Sequence, residues 1–146
     1  MQGEPITILL VEDDPAHAEI VRRNFEKSRI ANRLIHVSDG QYALDYLYRK
    51  DEFAGSADTP RPGLILLDLR LPRVDGLEVL AVVKADPDLA TIPVVILTTS
   101  AAETDLARAY QQQANSYLVK PVDFSQFVEL MDLLGYYWLV WNRQPV

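Results

Sequence analysis

Residues 6–15 read ITILLVEDDP, a mostly apolar run of six residues followed by three acidic residues and a proline. A continuous run of branched apolar residues this short is typical of a strand buried on both faces of a parallel sheet. Asp14 has the preferred chemistry of a helix N-cap, and Pro15 suits the first position of a helix. The stretch therefore predicts a central strand, Ile6–Val11, that passes through an acidic connection directly into a helix.

The same pattern of strand followed by helix recurs along the chain. Leu64–Leu67 and Pro93–Leu97 are further runs of the buried type, whereas the more polar Arg33–Val37 and Ser116–Val119 fit outer strands. Four later helix starts pair an N-cap residue with Glu or Gln three positions on: Ser38 with Gln41, Asp75 with Glu78, Ser100 with Glu103, and Asp123 with Gln126. The alternation predicts an α/β fold, a flavodoxin-like (βα)5 three-layer sandwich whose parallel five-stranded sheet has the order 2-1-3-4-5.

Composition restricts the class of protein. A chain of 146 residues fits one globular domain, so residues 1–146 are expected to fold as a unit. With 21 acidic against 14 basic residues the net charge is −7, which argues against nucleic acid or an anionic membrane as the partner. There is no cysteine, and residues 1–5 show no signal-peptide pattern, so a cytoplasmic protein is expected.

Carboxylates follow two strands that the predicted order makes neighbours. Glu12 and Asp13 come directly after the first strand, and Asp68 comes after the third. In an open α/β sheet the ligand site lies beyond the carboxyl ends of the strands, where the strand order reverses. Carboxylates that close together repel one another and call for a cation, and an all-oxygen ligand set suits Mg²⁺. The sequence therefore predicts a magnesium site at this edge of the sheet.

Two further polar residues end the fourth and fifth strands at the same edge. Thr98 supplies a hydroxyl and Lys120 supplies a cation. A carboxylate can act as the nucleophile toward a phosphoryl group if the charge on that group is neutralised. Together with the predicted metal ligands, these residue types indicate a site that accepts a phosphoryl group.

At these residues the sequence resembles the receiver domains of two-component response regulators. Four motifs occur in order: ILLVEDDP at 8–15, LLDLRLP at 66–72 leading to Asp75-Gly76, PVVILT at 93–98, and YLVKP at 117–121. Each motif falls at the end of a predicted strand. The resemblance therefore covers most of the chain and implies the same (βα)5 fold.

The resemblance also implies roles for the site residues. Asp68 would accept the phosphoryl group, and Lys120 would contact that group. Asp13, Asp68 and the main-chain carbonyl of Arg70 would bind Mg²⁺, with Glu12 acting on the metal through water. A sensor histidine kinase would be the partner that donates the phosphoryl group.

The resemblance further identifies Thr98 and Tyr117 as the switch residues. Thr98 would move toward the phosphoryl group and Tyr117 would turn inward. The long segment before the third strand, the Leu-Thr-Thr-Ser at 97–100 and the aromatic C-terminal extension at about 135–146 are most similar to stand-alone regulators paired with bacterial phytochrome kinases. A bacteriophytochrome is therefore the kinase that the resemblance favours, and output by protein–protein contact is expected.

Aromatic residues are concentrated at the end of the chain. Residues 133–141 are almost wholly apolar, yet too few for a bilayer, which needs about 20. A segment that is apolar on all sides requires additional cover. We predict a homodimer formed through this tail and the face made by the helix after Ser100, the strand Ser116–Val119 and the last helix. Burial of the tail under the domain's own loop is the alternative.

Other functions are also compatible with parts of this pattern. A pseudo-receiver that binds partners without phosphorylation would not need the complete acidic set. A hydrolase with an aspartyl-phosphate intermediate needs a second acid two residues after the nucleophile, where this chain has Arg70. We therefore expect a phosphorylated switch and not an enzyme. His17 and His36 have no supporting residues for phosphotransfer and are predicted to face solvent.

Overall fold

The computed structural model describes residues 6–28, 32–48, 61–98, 114–120 and 122–133. Its strands are β1 (Ile6–Val11), β2 (Asn32–Val37), β3 (Leu64–Asp68), β4 (Val94–Thr98) and β5 (Ser116–Val119). Its helices are α1 (Pro15–Lys27), α2 (Gly40–Tyr48), α3 (Gly76–Ala85) and α4 (Phe124–Leu133). The helix predicted after Ser100 and the aromatic extension lie outside the described residues.

The strands form one parallel sheet of order β2-β1-β3-β4-β5, which confirms the predicted topology. Val11 at the end of β1 pairs with Val37 on one side and Leu67 on the other, and Asp68 pairs with Leu97. The carboxyl ends of the strands are thereby aligned along one edge of the sheet. The two more polar strands, β2 and β5, are the outer ones, as predicted.

Side chains of the central strands alternate between two apolar layers. One layer lies under α1 and α4, where Phe25 and Phe127 meet edge to face with ring centroids 4.6 Å apart. The other lies under α2 and α3 and includes Tyr46 and Leu80. Because both faces of the sheet are covered, every residue of β3 and β4 is buried, which explains their continuous apolar sequences.

The predicted helix caps are present at α1, α3 and α4. Asp14 accepts the Ala16 N–H at 2.8 Å, and Asp75 accepts the Glu78 N–H at 3.0 Å. Asp123 in the same way accepts N–H groups of the first turn of α4. In the part of the chain that the structure describes, every helix is too short or too polar to cross a bilayer.

Several predicted boundaries are wrong by one residue. The cap of α2 is Asp39 and not Ser38, because the Asp39 carboxylate reaches the Tyr42 N–H at 2.8 Å in a helix that begins at Gly40. In addition, β3 and β4 each end one residue later than predicted, β4 also begins one residue later, and β2 begins one residue earlier, at Asn32. Asp68 and Thr98 are therefore the last residues of their strands.

Candidate functional site

Three carboxylates meet at the carboxyl edge of the sheet. Glu12 and Asp13 follow β1, Asp68 ends the adjacent β3, and one oxygen of each lies within 4.8 Å of the others. Glu12 is fully buried and Asp68 nearly so, whereas Asp13 is exposed. The strand order thus brings together the acidic residues that the sequence predicts to cluster. We call these three residues the acidic cluster.

Lys120, at the end of β5, reaches into the acidic cluster. Its Nζ donates a hydrogen bond to Glu12 Oε1 at 2.6 Å and another to Asp68 Oδ2 at 3.0 Å. The lysine is buried, with 8% of its surface exposed. A lone buried ammonium would be very costly, so the two carboxylates are what allows it to remain charged there. Lys120 therefore contacts Asp68, the carboxylate that the sequence predicts to be the nucleophile.

Burial and neighbouring charge shift the ionisation of this group of residues. Burial raises the pKa of Glu12 to about 7, an effect that the Lys120 hydrogen bond opposes and the nearby Asp68 reinforces. Burial alone would lower the pKa of Lys120, but its hydrogen bonds to both carboxylates hold that pKa above the ordinary value. The site therefore keeps a charged lysine between acids whose own charge is incompletely balanced.

The backbone after Asp68 folds closely around it. The Arg70 N–H donates to Asp68 Oδ1 at 3.0 Å, and the Gly76 N–H donates to the Leu69 carbonyl at 2.9 Å. A Cβ on Gly76 would lie 2.1 Å from the Asp68 carbonyl oxygen, so only glycine permits this close approach. A cavity of about 400 Å³ opens beside the loop, with Asp13 and Arg70 among its lining residues.

The two predicted switch residues lie on neighbouring strands. Thr98 is buried at the end of β4, and its carbonyl accepts the Lys120 N–H at 2.7 Å. Tyr117 lies on the outer strand β5, paired in register with Ile96, and 39% of its surface is exposed. Thr98 thus belongs to the same edge as the acidic cluster, and Tyr117 faces outward in this structure.

Histidines make contacts that the sequence does not predict. His36 is exposed, as predicted, yet its Nε2 lies 2.7 Å from the Glu12 carbonyl oxygen. Because a carbonyl only accepts, this contact requires the tautomer with hydrogen on Nε2. His17 is half-buried and not solvent-facing, with its Nδ1 3.5 Å from Asp14 Oδ2. The only sequence signal for the His36 contact is the parallel pairing of β1 with β2.

The donor chemistry of the acidic cluster fits a hard divalent cation. All donors are oxygens, and the described residues offer no other group of candidate metal ligands. Both oxygens of Glu12 already accept hydrogen bonds, Oε1 from Lys120 and Oε2 from the Asp14 N–H at 3.2 Å. Both oxygens of Asp68 also accept hydrogen bonds, Oδ1 from the Arg70 N–H and Oδ2 from Lys120, whereas none is described for the exposed Asp13. These contacts favour Asp13 as a direct ligand.

Comparison with known proteins is consistent with this geometry. Residues 8–132 match the family model of the response regulator receiver domain. The probable methanogenesis regulatory protein FilR2 of Methanothrix harundinacea is 46% identical over 142 residues, which are 97% of this chain and 89% of that protein. The response regulator Rcp1 of Synechocystis is 42% identical over 135 residues, 92% of this chain and 90% of that protein.

Solved structures show the same similarity in three dimensions. The Mn²⁺-bound form of Rcp1 superposes with a TM-score of 0.78 at 42% identity, covering 92% of this chain and 95% of the other. The bacteriophytochrome response regulator AtBRR gives a TM-score of 0.82 at 44% identity, covering 93% and 96%. The matched residues include the acidic cluster and Lys120, so sequence, topology and site agree, and the chain belongs to the response regulator receiver domain family.

Proposed function

We propose that this chain is a cytoplasmic, stand-alone response regulator that accepts a phosphoryl group on Asp68 from a histidine kinase in a Mg²⁺-dependent reaction. The observation that carries the proposal is the Lys120 Nζ, 3.0 Å from Asp68 Oδ2, at the centre of the acidic cluster. A carboxylate nucleophile thus has beside it the cation that an incoming phosphoryl group requires. Its role would be that of a signalling protein and not of a hydrolase.

The transfer uses Asp68 as the nucleophile. A carboxylate oxygen attacks phosphorus in line, so that a P–O bond forms while the P–N bond of phosphohistidine breaks. The imidazole, protonated on its other nitrogen, leaves as a neutral ring with the electron pair of the broken bond. Lys120 and the Thr98 hydroxyl stabilise the charge on the phosphoryl oxygens.

A divalent cation would be held by Asp13, Asp68 and the Arg70 carbonyl, with Glu12 acting through water. Bound Mg²⁺ would supply positive charge to offset the carboxylates and the phosphoryl group. The oxygen-only donor set supports this assignment, and the solved relative Rcp1 is described with Mn²⁺ bound.

Phosphorylation would act on a two-state element at the β4–β5 side of the sheet. Thr98 would move toward the phosphoryl group, and Tyr117, now partly exposed, would turn inward. A cavity of about 400 Å³ between β5 and α4 has Tyr117, Leu130 and Leu133 among its lining residues. The inward rotation would change the shape of this cavity and hence the contacts of the face around it.

Partners are inferred from the relatives and from this face. Two solved relatives, RtBRR at 45% identity and AtBRR at 44%, are bacteriophytochrome response regulators, which supports a phytochrome-type histidine kinase as the donor. The exposed Val128 and Leu133 of α4, 38% and 81% exposed, lie on the face proposed for a homodimer. Nucleic acid and membranes are not proposed as partners, given the net charge of −7.

Intact mass after incubation with acetyl phosphate and Mg²⁺ tests the proposal. We expect wild type to gain the mass of one phosphoryl group and Asp68→Asn to gain none. Asp75→Asn is a matched control, because it makes the same change at an exposed N-cap near the site and asparagine caps helices as well as aspartate. It should label like wild type. An unlabelled wild type would exclude the phosphorylated switch, and a labelled Asp68→Asn would move the acceptor elsewhere.

A further inference from the structure

An ion pair fastens the loop after Asp68 to the start of α2. Arg73 lies in this loop, residues 69–75, and donates from Nε to Asp39 Oδ2 at 2.9 Å and from Nη2 to Asp39 Oδ1 at 3.1 Å. The Asp39 side chain is 11% exposed, and the Arg73 guanidinium lies 4.6 Å from the centroid of the Tyr42 ring. The Arg73 side chain is 51% exposed, so the pair is shielded from solvent on the Asp39 side only. Paired hydrogen bonds between an arginine and a carboxylate fix the geometry of both groups.

The backbone at Arg73 is unfavourable for arginine. Its φ is +66°, and among the described residues it alone of the non-glycine residues has a positive φ. The left-handed region is unfavourable for a residue with a Cβ, a cost that glycine avoids and asparagine reduces. An arginine at this position therefore indicates a contribution from its side chain, and the only hydrogen-bond partner that its guanidinium has among the described contacts is Asp39.

The start of α2 supports the same loop through its backbone. The Gly40 N–H points to the Pro72 carbonyl at 3.4 Å, and a Cβ on Gly40 would lie 1.8 Å from the Val74 carbonyl oxygen. Asp39 also caps α2 by accepting the Tyr42 N–H. Asp39 thus contacts both the first turn of α2 and the loop.

The loop carries groups that face the cation site. Arg70 and Pro72 line the same cavity as Asp13, and the Arg70 N–H binds Asp68. Toward α3 the loop is fixed by the bond from Gly76 to Leu69. Asp75 at the end of the loop caps α3, and the other described hydrogen bonds that join residues 71–74 to the rest of the chain go to the start of α2.

We propose that the Asp39–Arg73 ion pair positions the loop so that the Arg70 carbonyl is held at the cation site formed with Asp13 and Asp68. This inference rests on the proposed function, which places a divalent cation there. Asp39 and Arg73 act through the loop and touch none of the reacting groups, so they are positioning residues and not catalytic ones.

The direction in which the cation affinity changes on loss of Arg73 distinguishes a positioning role from simple electrostatics. Removing the positive charge of Arg73 near a cation site would by itself strengthen cation binding. Loss of a contact that supports a metal ligand instead weakens cation binding, and about tenfold is the lower end of the usual range of this effect on affinity. A weaker cation affinity in a folded variant without Arg73 is therefore opposite to the effect of the lost charge and supports the positioning role.

The experiment measures Mn²⁺ affinity by electron paramagnetic resonance of the free ion, using the full chain. We expect Arg73→Asn and Asp39→Asn each to bind Mn²⁺ about tenfold more weakly than wild type, and the double variant to bind no more weakly than either. Asparagine tolerates the positive φ at position 73 and caps α2 at position 39. Arg61→Asn is the matched control, because Arg61 pairs with Asp88 at 3.0 Å with both side chains exposed.

The outcomes separate this inference from the function on which it rests. Unchanged or tighter Mn²⁺ binding by Arg73→Asn, with wild type binding normally, would overturn the positioning role alone. Failure of wild type to bind Mn²⁺ would overturn the cation site and this inference together. Urea unfolding of each variant is measured beside the titration. If Arg73→Asn is too unstable to titrate, Arg73→Gly replaces it, because glycine adopts a positive φ without a steric cost. It too should bind more weakly.

Discussion

Glu12 is the residue whose environment differs most from that of an ordinary surface carboxylate. It is fully enclosed, it shares Lys120 with Asp68, and its pKa is raised to about 7. One lysine cannot fully balance two buried acids, so without a further cation the folded state holds a proton there more readily than the unfolded chain does. The ionisation of one residue therefore affects the stability of the whole metal-free protein.

We predict that the metal-free protein loses stability as the pH rises from about 5 to about 7. In this window the folded state retains the Glu12 proton that the unfolded chain has already released, so raising the pH favours unfolding, by at most about 1.4 kcal/mol per pH unit. Urea unfolding in a chelating buffer at a series of pH values measures the slope. Glu12→Gln should lack this component, whereas Glu78→Gln at an exposed position of α3 should keep it. Equal slopes in wild type and Glu12→Gln would contradict the prediction.

At the scale of elements, one buried side chain joins α1 to the segment that follows Lys120. Asn24 is 6% exposed, and its Nδ2 donates to the Val122 carbonyl at 3.1 Å across 98 positions of sequence. The neighbouring Phe25 packs on Phe127 of α4. Helix α1 is therefore joined by a buried hydrogen bond to the segment before α4 and by apolar packing to α4 itself.

We predict that Asn24→Ala lowers the free energy of unfolding by about 1–3 kcal/mol, because it leaves the buried Val122 carbonyl without this donor. Arg23→Ala provides the comparison on the same helix. It removes an exposed ion pair with Glu19, which should cost less than about 1 kcal/mol. Urea denaturation of both variants measures the difference. Equal midpoints for the two would show that the Asn24 contact contributes little.

The elements also show what sequence can predict and what it cannot. The caps Asp14 and Asp75 are predictable because a cap and its helix are adjacent in sequence and interact locally. At α2 two residues with cap chemistry are consecutive, and only the observed start of the helix selects Asp39 over Ser38. Asn24 and Arg73 give no local signal, because each finds its partner only after the chain has folded.

The candidate site likewise has features that the sequence predicts and features that it does not. The acidic cluster is predictable because strand order and strand ends follow from hydrophobic patterns, and these place Asp68 beside Glu12 and Asp13. The proximity of Lys120 also follows, but not its paired bonds, which depend on side-chain geometry. The His36 contact with the Glu12 carbonyl depends on the register of β2, which no residue type indicates.

At the scale of the whole molecule, the face of β5 and α4 bears exposed apolar groups. We predict that Leu133→Asp, at a position 81% exposed, weakens self-association without loss of folding, since a charge would be buried in the proposed homodimer. Analytical ultracentrifugation of phosphorylated and unphosphorylated protein measures the oligomeric state. Ala81→Asp adds the same charge at an exposed position of α3, on the other side of the sheet, and should not change it.

A chain truncated after Gly135 tests the contribution of the aromatic extension to the same homodimer. We expect the truncated chain to be monomeric where the full chain is dimeric. If Leu133→Asp and the truncated chain both sediment like wild type, the homodimer does not use this face.

The charged residues of the site touch in the folded protein but lie far apart in the sequence, which has a consequence for synthesis on the ribosome. Lys120 follows Glu12 by 108 positions, so the acids are made early and the lysine that binds them is made late. A nascent chain that ends before β5 carries Asp68 without the cation beside it or the last strand of the sheet. A chain that is still being synthesised therefore lacks the ammonium group on which the proposed phosphoryl transfer to Asp68 depends.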